Sequence, residues 1–379
     1  MGVDVNIESA NGATLTDVNG KKYIDLISGI SVSNVGHCHP KVVKAINEQT
    51  QKFMHLMVYG EFNQSPQVKY ATTLLPLLPK NLNSIYYTTG GSESIEGAMK
   101  LAKRVTGKSE IISFKNSYHG STQGALSIMG DEYFKNAYRP LLPNTKQLNF
   151  NNLIELNEIS DKTAAVVIEL VQAESGITPA NYKFIEQLKN KCTQHNALLI
   201  IDEIQTGFGR TGTLFAFEKY NVVPDILCIA KGMGGGLPIG AFIANKTHMD
   251  CFTNQPVLGH INTFGGNAVC LAAAQACLEI IIDEQLVANS IKIEKIISDK
   301  FSNINSLKCT VVGAFAALEF KTQLINFEVI KQCLLNGIIT DWFLFNDKAL
   351  RICPPLNINE IELKDTLEKL ADIISQVKT

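Results

Sequence analysis

The chain has 379 residues, 45% hydrophobic and 18% charged, with a formal net charge of −2. Its Lys and Arg residues form no block longer than a pair, which argues against nucleic acid or an anionic membrane surface as partner. No apolar run reaches the roughly 20 residues that span a bilayer, and the N-terminal residues lack the basic start and apolar stretch of a signal peptide. Nine cysteines without a CxxC pair read as reduced, mostly core thiols and predict a cytoplasmic protein.

In chain order, ATLTDVNGKKYIDL (13–26) alternates apolar and polar residues around Asn19-Gly20, a hairpin signal. In GHCHPKVV, His37 and His39 form the one metal-like pair. No third ligand has a matching spacing, so no metal is expected, and Pro40 reads as the first residue of a helix. From 84 to 250 the texture becomes strand, turn, helix, repeated. SIYYT (84–88) precedes ESIEGAMKLAKR, whose Ile95, Ala98, Met99 and Ala102 share one helical face. EIISF (110–114), AAVVIEL (164–170), ALLIID (197–202) and DILCIA (225–230) are short continuous apolar runs. Strands buried on both faces of a mainly parallel sheet have this composition, and a helix over 181–195 supplies a crossover. After a helix at 267–282 come CTVVGAFAALEF, an NGIIT turn-strand and a terminal helix from about 358.

The pattern predicts an α/β fold with a mainly parallel central sheet. A large domain at 51–282 is expected beside a smaller α+β one assembled from both chain ends, 1–50 and 283–379.

Ligands of open α/β sheets sit at the carboxyl ends of the strands. Those ends carry Thr89-Gly90-Gly91-Ser92, the segment 115–120, Glu169, Asp202-Glu203 and Lys231. Each has a plainer use: GGSES caps a helix, Asp202 caps a turn, and Lys231 extends to solvent. Their coincidence on one sheet edge, with Asp202 and Lys231 separated by a single strand, points instead to one phosphorylated aromatic aldehyde. A helix N-terminus suits its phosphate. A desolvated lysine loses its proton readily enough for a Schiff base. An aspartate keeps a ring nitrogen protonated, the condition under which pyridoxal phosphate draws electrons.

DEIQTGFGRTG (202–212), PDILCIAKGMGGGLPIGAF (224–242) and INTFGGN (261–267) resemble the class III aminotransferases, which act on ornithine, acetylornithine and 4-aminobutyrate. These are pyridoxal 5′-phosphate enzymes of fold type I, and the resemblance extends from DVNGKKYIDL to LRICPPLNI. It implies that Lys231 is the Schiff-base lysine and Asp202 the partner of the pyridine nitrogen. Gly91 and Ser92 match the backbone donors to the phosphate, Tyr118 and Ile204 the residues on the two ring faces, and Gln205 the neighbour of the ring hydroxyl. Thr263 matches a threonine that reaches the phosphate in the neighbouring subunit, which implies a homodimer with shared active sites. Glu169 and Glu174, in IELVQAESG, match a cofactor-site glutamate and a glutamate that masks an arginine, here Arg351.

The chain departs from the family at YHGST: Ser121 stands where an arginine usually holds a substrate carboxylate. A serine offers only a neutral hydrogen bond. Arg139, in the following loop, is the candidate to compensate, and Trp342, Phe343 and Phe345 could instead give an apolar pocket. The first strand signal also lies near residue 1, so any N-terminal segment that the family adds to its site is expected to be short or absent. The resemblance implies transfer of an amino group from an amine or ω-amino acid to a 2-oxo acid such as 2-oxoglutarate. An aminomutase, decarboxylase or racemase of the same fold is the nearest alternative. A phosphate- or nucleotide-binding α/β protein without catalysis is a more distant one.

Overall fold

The computed structural model describes residues 5–304 and 307–377. Its largest sheet has seven strands in the spatial order Ser84–Thr88, Gly240–Ala244, Ile226–Ile229, Leu198–Asp202, Thr163–Ile168, Glu110–Phe114 and Thr145–Leu148. The pairings are parallel except for those of Gly240–Ala244, which runs antiparallel to both neighbours. Every residue of Thr163–Ile168, Ile226–Ile229 and Gly240–Ala244 is buried, which explains their apolar composition beyond Thr163.

Alternate residues along these strands feed two cores. On one face Ile111, Ala165, Val167, Ile200, Ile226 and Phe242 pack with Ile95, Ala98, Met99 and Ala102 of the helix Gly91–Thr106. On the other face Ile112, Val166, Ile201, Leu227 and Ile243 join the helices Tyr182–Gln194 and Ala268–Asp283. Each fully buried aliphatic side chain contributes roughly 1.5–3 kcal/mol, so helices on both faces hold the sheet edge rigid where its strands end.

Two four-stranded sheets flank this unit. One runs Ile7–Asn11, Thr14–Asp17, Lys22–Asp25 and Ile338–Ile339, joining both ends of the chain. The Asn19-Gly20 turn forms as the sequence indicates, with Gly20 at φ +81° and its N–H donating to the Asp17 carbonyl. The other runs Lys308–Val311, Ala316–Glu319, Asn346–Ile352 and Trp342–Phe343. Two strands of the large sheet escape the sequence reading. Thr145–Leu148 is a polar edge strand, and Gly240–Ala244 begins at the end of the glycine- and proline-rich stretch GMGGGLPIG (232–240).

Arg210, completely buried, fastens the segments together. Its terminal nitrogens donate to the carbonyls of Ala314 and Pro354, to the Ser28 hydroxyl and to Asn34 Oδ1. The strand that carries Arg351 is thereby tied to the loop beside the large sheet. His37 and His39 turn to separate partners: His37 Nε2 lies 2.7 Å from Asp25, while His39 caps the helix Pro40–Thr50. Among the described residues, no group of three or more His, Cys, Asp or Glu is placed to hold a metal, and no helix is long and apolar enough to cross a membrane.

Candidate active site

The strand Ile226–Ile229 runs out through an extended Ala230 into a tight turn that begins at Lys231. Lys231 has φ +46°, in the left-handed region that a non-glycine residue occupies at a cost of about 1–3 kcal/mol. Its amine donates to Gln205 Oε1 at 3.1 Å. Burial lowers its pKa below the usual lysine value, and the charges of Glu174, Asp202 and Glu169 only partly offset this.

The neighbouring strand Leu198–Asp202 ends on Asp202, which is 3% exposed. Asp202 Oδ1 accepts the Ile204 N–H at 3.0 Å, and its Oδ2 lies 2.7 Å from His119 Nδ1. His119 is buried too, and its Nε2 has no partner among the described residues. Burial disfavours the charged imidazole, but the hydrogen bond to Asp202 and the charges of Asp202 and Glu169 outweigh it and raise the pKa. Glu169, one residue past Thr163–Ile168, accepts the Tyr118 N–H at 3.0 Å, and burial pushes its carboxyl up to about 7.

Ser84–Thr88 leads through Gly90 into the helix Gly91–Thr106. The first N–H groups of a helix have no partner within it and carry its partial positive charge. Two glycines keep this corner tight. A Cβ on Gly91 would lie 2.9 Å from the Ile204 side chain. One on Gly120, whose φ is +127°, would lie 2.2 Å from Ser92 Oγ.

Gly91, Ser92, Tyr118, Glu169, Asp202, Ile204, Gln205 and Lys231 all line one cavity of about 410 Å³, within the usual range for small-molecule sites. Gln205 also links it to a second cluster, its Nε2 lying 3.5 Å from Glu174 Oε1. There Glu174 accepts from both terminal nitrogens of Arg351 at 3.0 Å, and Arg351 Nε donates to Asp341 at 2.8 Å. Burial acts to raise the Glu174 pKa, but Arg351 outweighs it and holds the carboxyl below its usual range. Burial dominates at Asp341 and pushes it up to about 6.

Ser121 and Thr263 are not among the residues lining the cavity. Both are exposed, Ser121 bonded to the Tyr118 hydroxyl at 3.1 Å and Thr263 to the Tyr59 hydroxyl at 2.8 Å. Arg139 is paired with Glu132 at 2.7 Å on the surface. Phe343 lies under the Arg351 guanidinium at 4.5 Å, Trp342 packs edge-on to Phe327, and Phe345 packs against Phe134. Of these three rings Phe343 is the one that meets Arg351, and none of the three lines the cavity. Sequence reasoning missed His119 and Asp341. His119 stands inside the quoted YHGST motif, whereas nothing local marks Asp341.

A mainly parallel sheet whose carboxyl edge gathers a lysine, a buried aspartate and a helix N-terminus defines the fold-type I class of pyridoxal-phosphate enzymes. Residues 2–374 match the family model described as aminotransferase class-III, and the chain belongs to that family. It is 36% identical to an acetylornithine aminotransferase of Clostridium acetobutylicum over 96% of this chain and 95% of the relative. A transaminase from the marine bacterium Virgibacillus superposes with a TM-score of 0.92 at 26% identity, covering 99% of this chain and 94% of that one. An ornithine aminotransferase from Toxoplasma gondii, with pyridoxal phosphate at partial occupancy, superposes at 0.91 and 25% identity, covering 99% and 91%. The protein is thus a pyridoxal 5′-phosphate-dependent aminotransferase. The cavity fits that cofactor: it offers an amine, a buried carboxylate and helix N–H groups within one wall.

Proposed function

We propose that the protein moves an amino group from an ω-amino acid or related amine to 2-oxoglutarate, and that it does so as a cytoplasmic homodimer with shared active sites. The single observation that carries this reading is the buried Glu174–Arg351 pair. The acceptor brings an α-carboxylate, which a planar guanidinium grips through two parallel hydrogen bonds. An ω-amine donor presents no such group at its reacting end. One site can serve both only if its arginine is neutralised for the donor and exposed for the acceptor, and Glu174 in bidentate contact is placed to do this.

When bound, pyridoxal phosphate supplies the aldehyde that takes up the amino group and the ring that draws electrons from the reacting carbon. Gly91 and Ser92 would hold its phosphate by backbone N–H groups, Tyr118 and Ile204 would flank the ring, and Gln205 and Glu169 would complete the pocket. Asp202 would face the ring nitrogen; an opposite charge at contact distance shifts a pKa by about 1–3 units, enough to keep that nitrogen protonated. His119 holds Asp202 in place. Lys231, its ammonium destabilised by burial, would carry the proton between substrate and cofactor carbons. Thr263, exposed beside Ile261 and Phe264, would reach the partner's phosphate, and this apolar surface would be covered in the dimer. Residues 51–282 would form the cofactor-binding domain.

The relative's name puts acetylornithine on any donor panel. Ser121, in place of the family's arginine, removes a charge-assisted bond worth roughly 1.5–3 kcal/mol to a donor carboxylate, and Arg139 is committed to Glu132. Ornithine and 4-aminobutyrate are therefore not expected to be the best donors. Stopped-flow half-reactions with a panel of amines and ω-amino acids test the proposal. Arg351→Ala should impair the 2-oxoglutarate half far more than the donor half. Equal losses, or a panel headed by ornithine, would overturn it. Cofactor colour that survives every donor, with no oxo acid released, would favour a mutase or racemase.

A further inference from the structure

Arg351 is held by two carboxylates that differ in how they are attached. Glu174 comes from the segment after the large-sheet strand Thr163–Ile168 and takes the end of the guanidinium, Nη1 and Nη2. Asp341 takes the side, through Nε. It lies directly before the strand Trp342–Phe343, which pairs with the strand of Arg351, Asn346–Ile352. The Asp341 carbonyl accepts the Arg351 backbone N–H at 2.9 Å, and the Thr340 hydroxyl donates to the Arg351 carbonyl. Asp341 therefore travels with Arg351 whatever Glu174 does.

We propose that Asp341 is a positioning residue for the acceptor half-reaction, keeping the Arg351 guanidinium aimed while its terminal nitrogens exchange Glu174 for the carboxylate of the 2-oxo acid. The inference rests on reading Arg351 as the acceptor site. Of the five guanidinium N–H groups, Glu174 occupies two, Asp341 one and the Trp342 carbonyl one. When Glu174 leaves, the bonds to Asp341 and Trp342 and the Phe343 ring at 4.5 Å still fix the plane and turn of the fork. Without Asp341 the guanidinium keeps one carbonyl and one ring as guides and can swing about its last bond. The terminal edge would then no longer meet the incoming carboxylate squarely.

The holoenzyme forms of Asp341→Ala, Asp341→Asn and Arg351→Ala test this, with each half-reaction followed separately and 2-oxoglutarate as the acceptor. Loss of one charge-assisted bond predicts that Asp341→Ala raises the acceptor-half KM about ten- to a hundredfold. The limiting rate and the donor half should move by less than about threefold. Asp341→Asn keeps an oxygen that can accept from Nε and should restore the KM to within about fivefold of wild type. Should Asp341→Ala fail to fold, Asp341→Ser, too short to reach Nε, carries the same comparison with Asn. Equal losses in both halves, an Asn variant as damaged as Ala or Ser, or an unchanged acceptor KM would overturn the proposal. If Arg351→Ala is selective for the acceptor half and Asp341→Ala is not, this inference fails while the reading of the site stands. If Arg351→Ala damages both halves equally, the reading of the site itself fails.

Discussion

Glu174 accepts from both terminal nitrogens of Arg351 at 3.0 Å each, across 177 residues of sequence. The contact neutralises the guanidinium and, on the proposed reading of Arg351 as the acceptor site, masks it from other carboxylates. Glu174→Gln should leave Arg351 open, so glutarate, which cannot react, should inhibit the donor half-reaction at concentrations about tenfold or more below those needed with wild type. Equal inhibition constants for the two proteins would show that Glu174 masks nothing.

Burial lowers the Lys231 pKa, so its neutral amine forms at lower pH than that of an ordinary lysine. In the cofactor-free protein, trace acetylation across a pH series, read by mass spectrometry of the Lys231 peptide, should give a midpoint below 10.5. A midpoint at or above that value would mean that the pocket does not prepare Lys231 as a base.

Glu203, beside Asp202 and fully buried, accepts from the Phe217 N–H and the Thr206 hydroxyl, yet burial pushes its carboxyl from 4.5 up to about 7. A folded pKa above the unfolded one means that the folded state binds the proton more tightly. Stability from this group is complete below about pH 4.5 and is lost as pH rises through about 7, amounting to a few kcal/mol. Glu203→Gln should therefore raise the thermal midpoint relative to wild type more at pH 8 than at pH 5. Parallel curves for the two proteins would remove Glu203 from the pH dependence.

Thr263 bonds to Tyr59 and lies exposed among apolar side chains, away from the cavity of its own chain. A purified heterodimer of Lys231→Ala and Thr263→Ala chains should keep about half of wild-type activity, because one site carries both defects and the other neither. Activity no higher than the mean of the two mutant homodimers would mean that Thr263 serves its own site.

The local pattern of the chain was enough to place Lys231 and Asp202. Each closes an apolar strand, and burial on both faces leaves a signature that any window of five or six residues displays. The N-terminus of the helix at Gly91 was legible for the same reason, since capping and helical periodicity are short-range properties. Even the Asn19-Gly20 hairpin follows from the φ that only a few residues tolerate. Other features were decided by the assembled fold. Insertion of Gly240–Ala244 between Ser84–Thr88 and Ile226–Ile229, and the pairing of Ile338 with Ile24, depend on which strands meet, and strand order is a long-range choice. His119 became the partner of Asp202 only because segments 83 residues apart were brought edge to edge. Asp341 shows the difference most clearly. In sequence it is one carboxylate in a turn, and its meaning comes from the antiparallel pairing that sets it beside Arg351 while Glu174 approaches from the segment after Thr163–Ile168. Side-chain period and capping are set by neighbours along the chain, whereas hydrogen-bond partners and pKa shifts are set by neighbours in space.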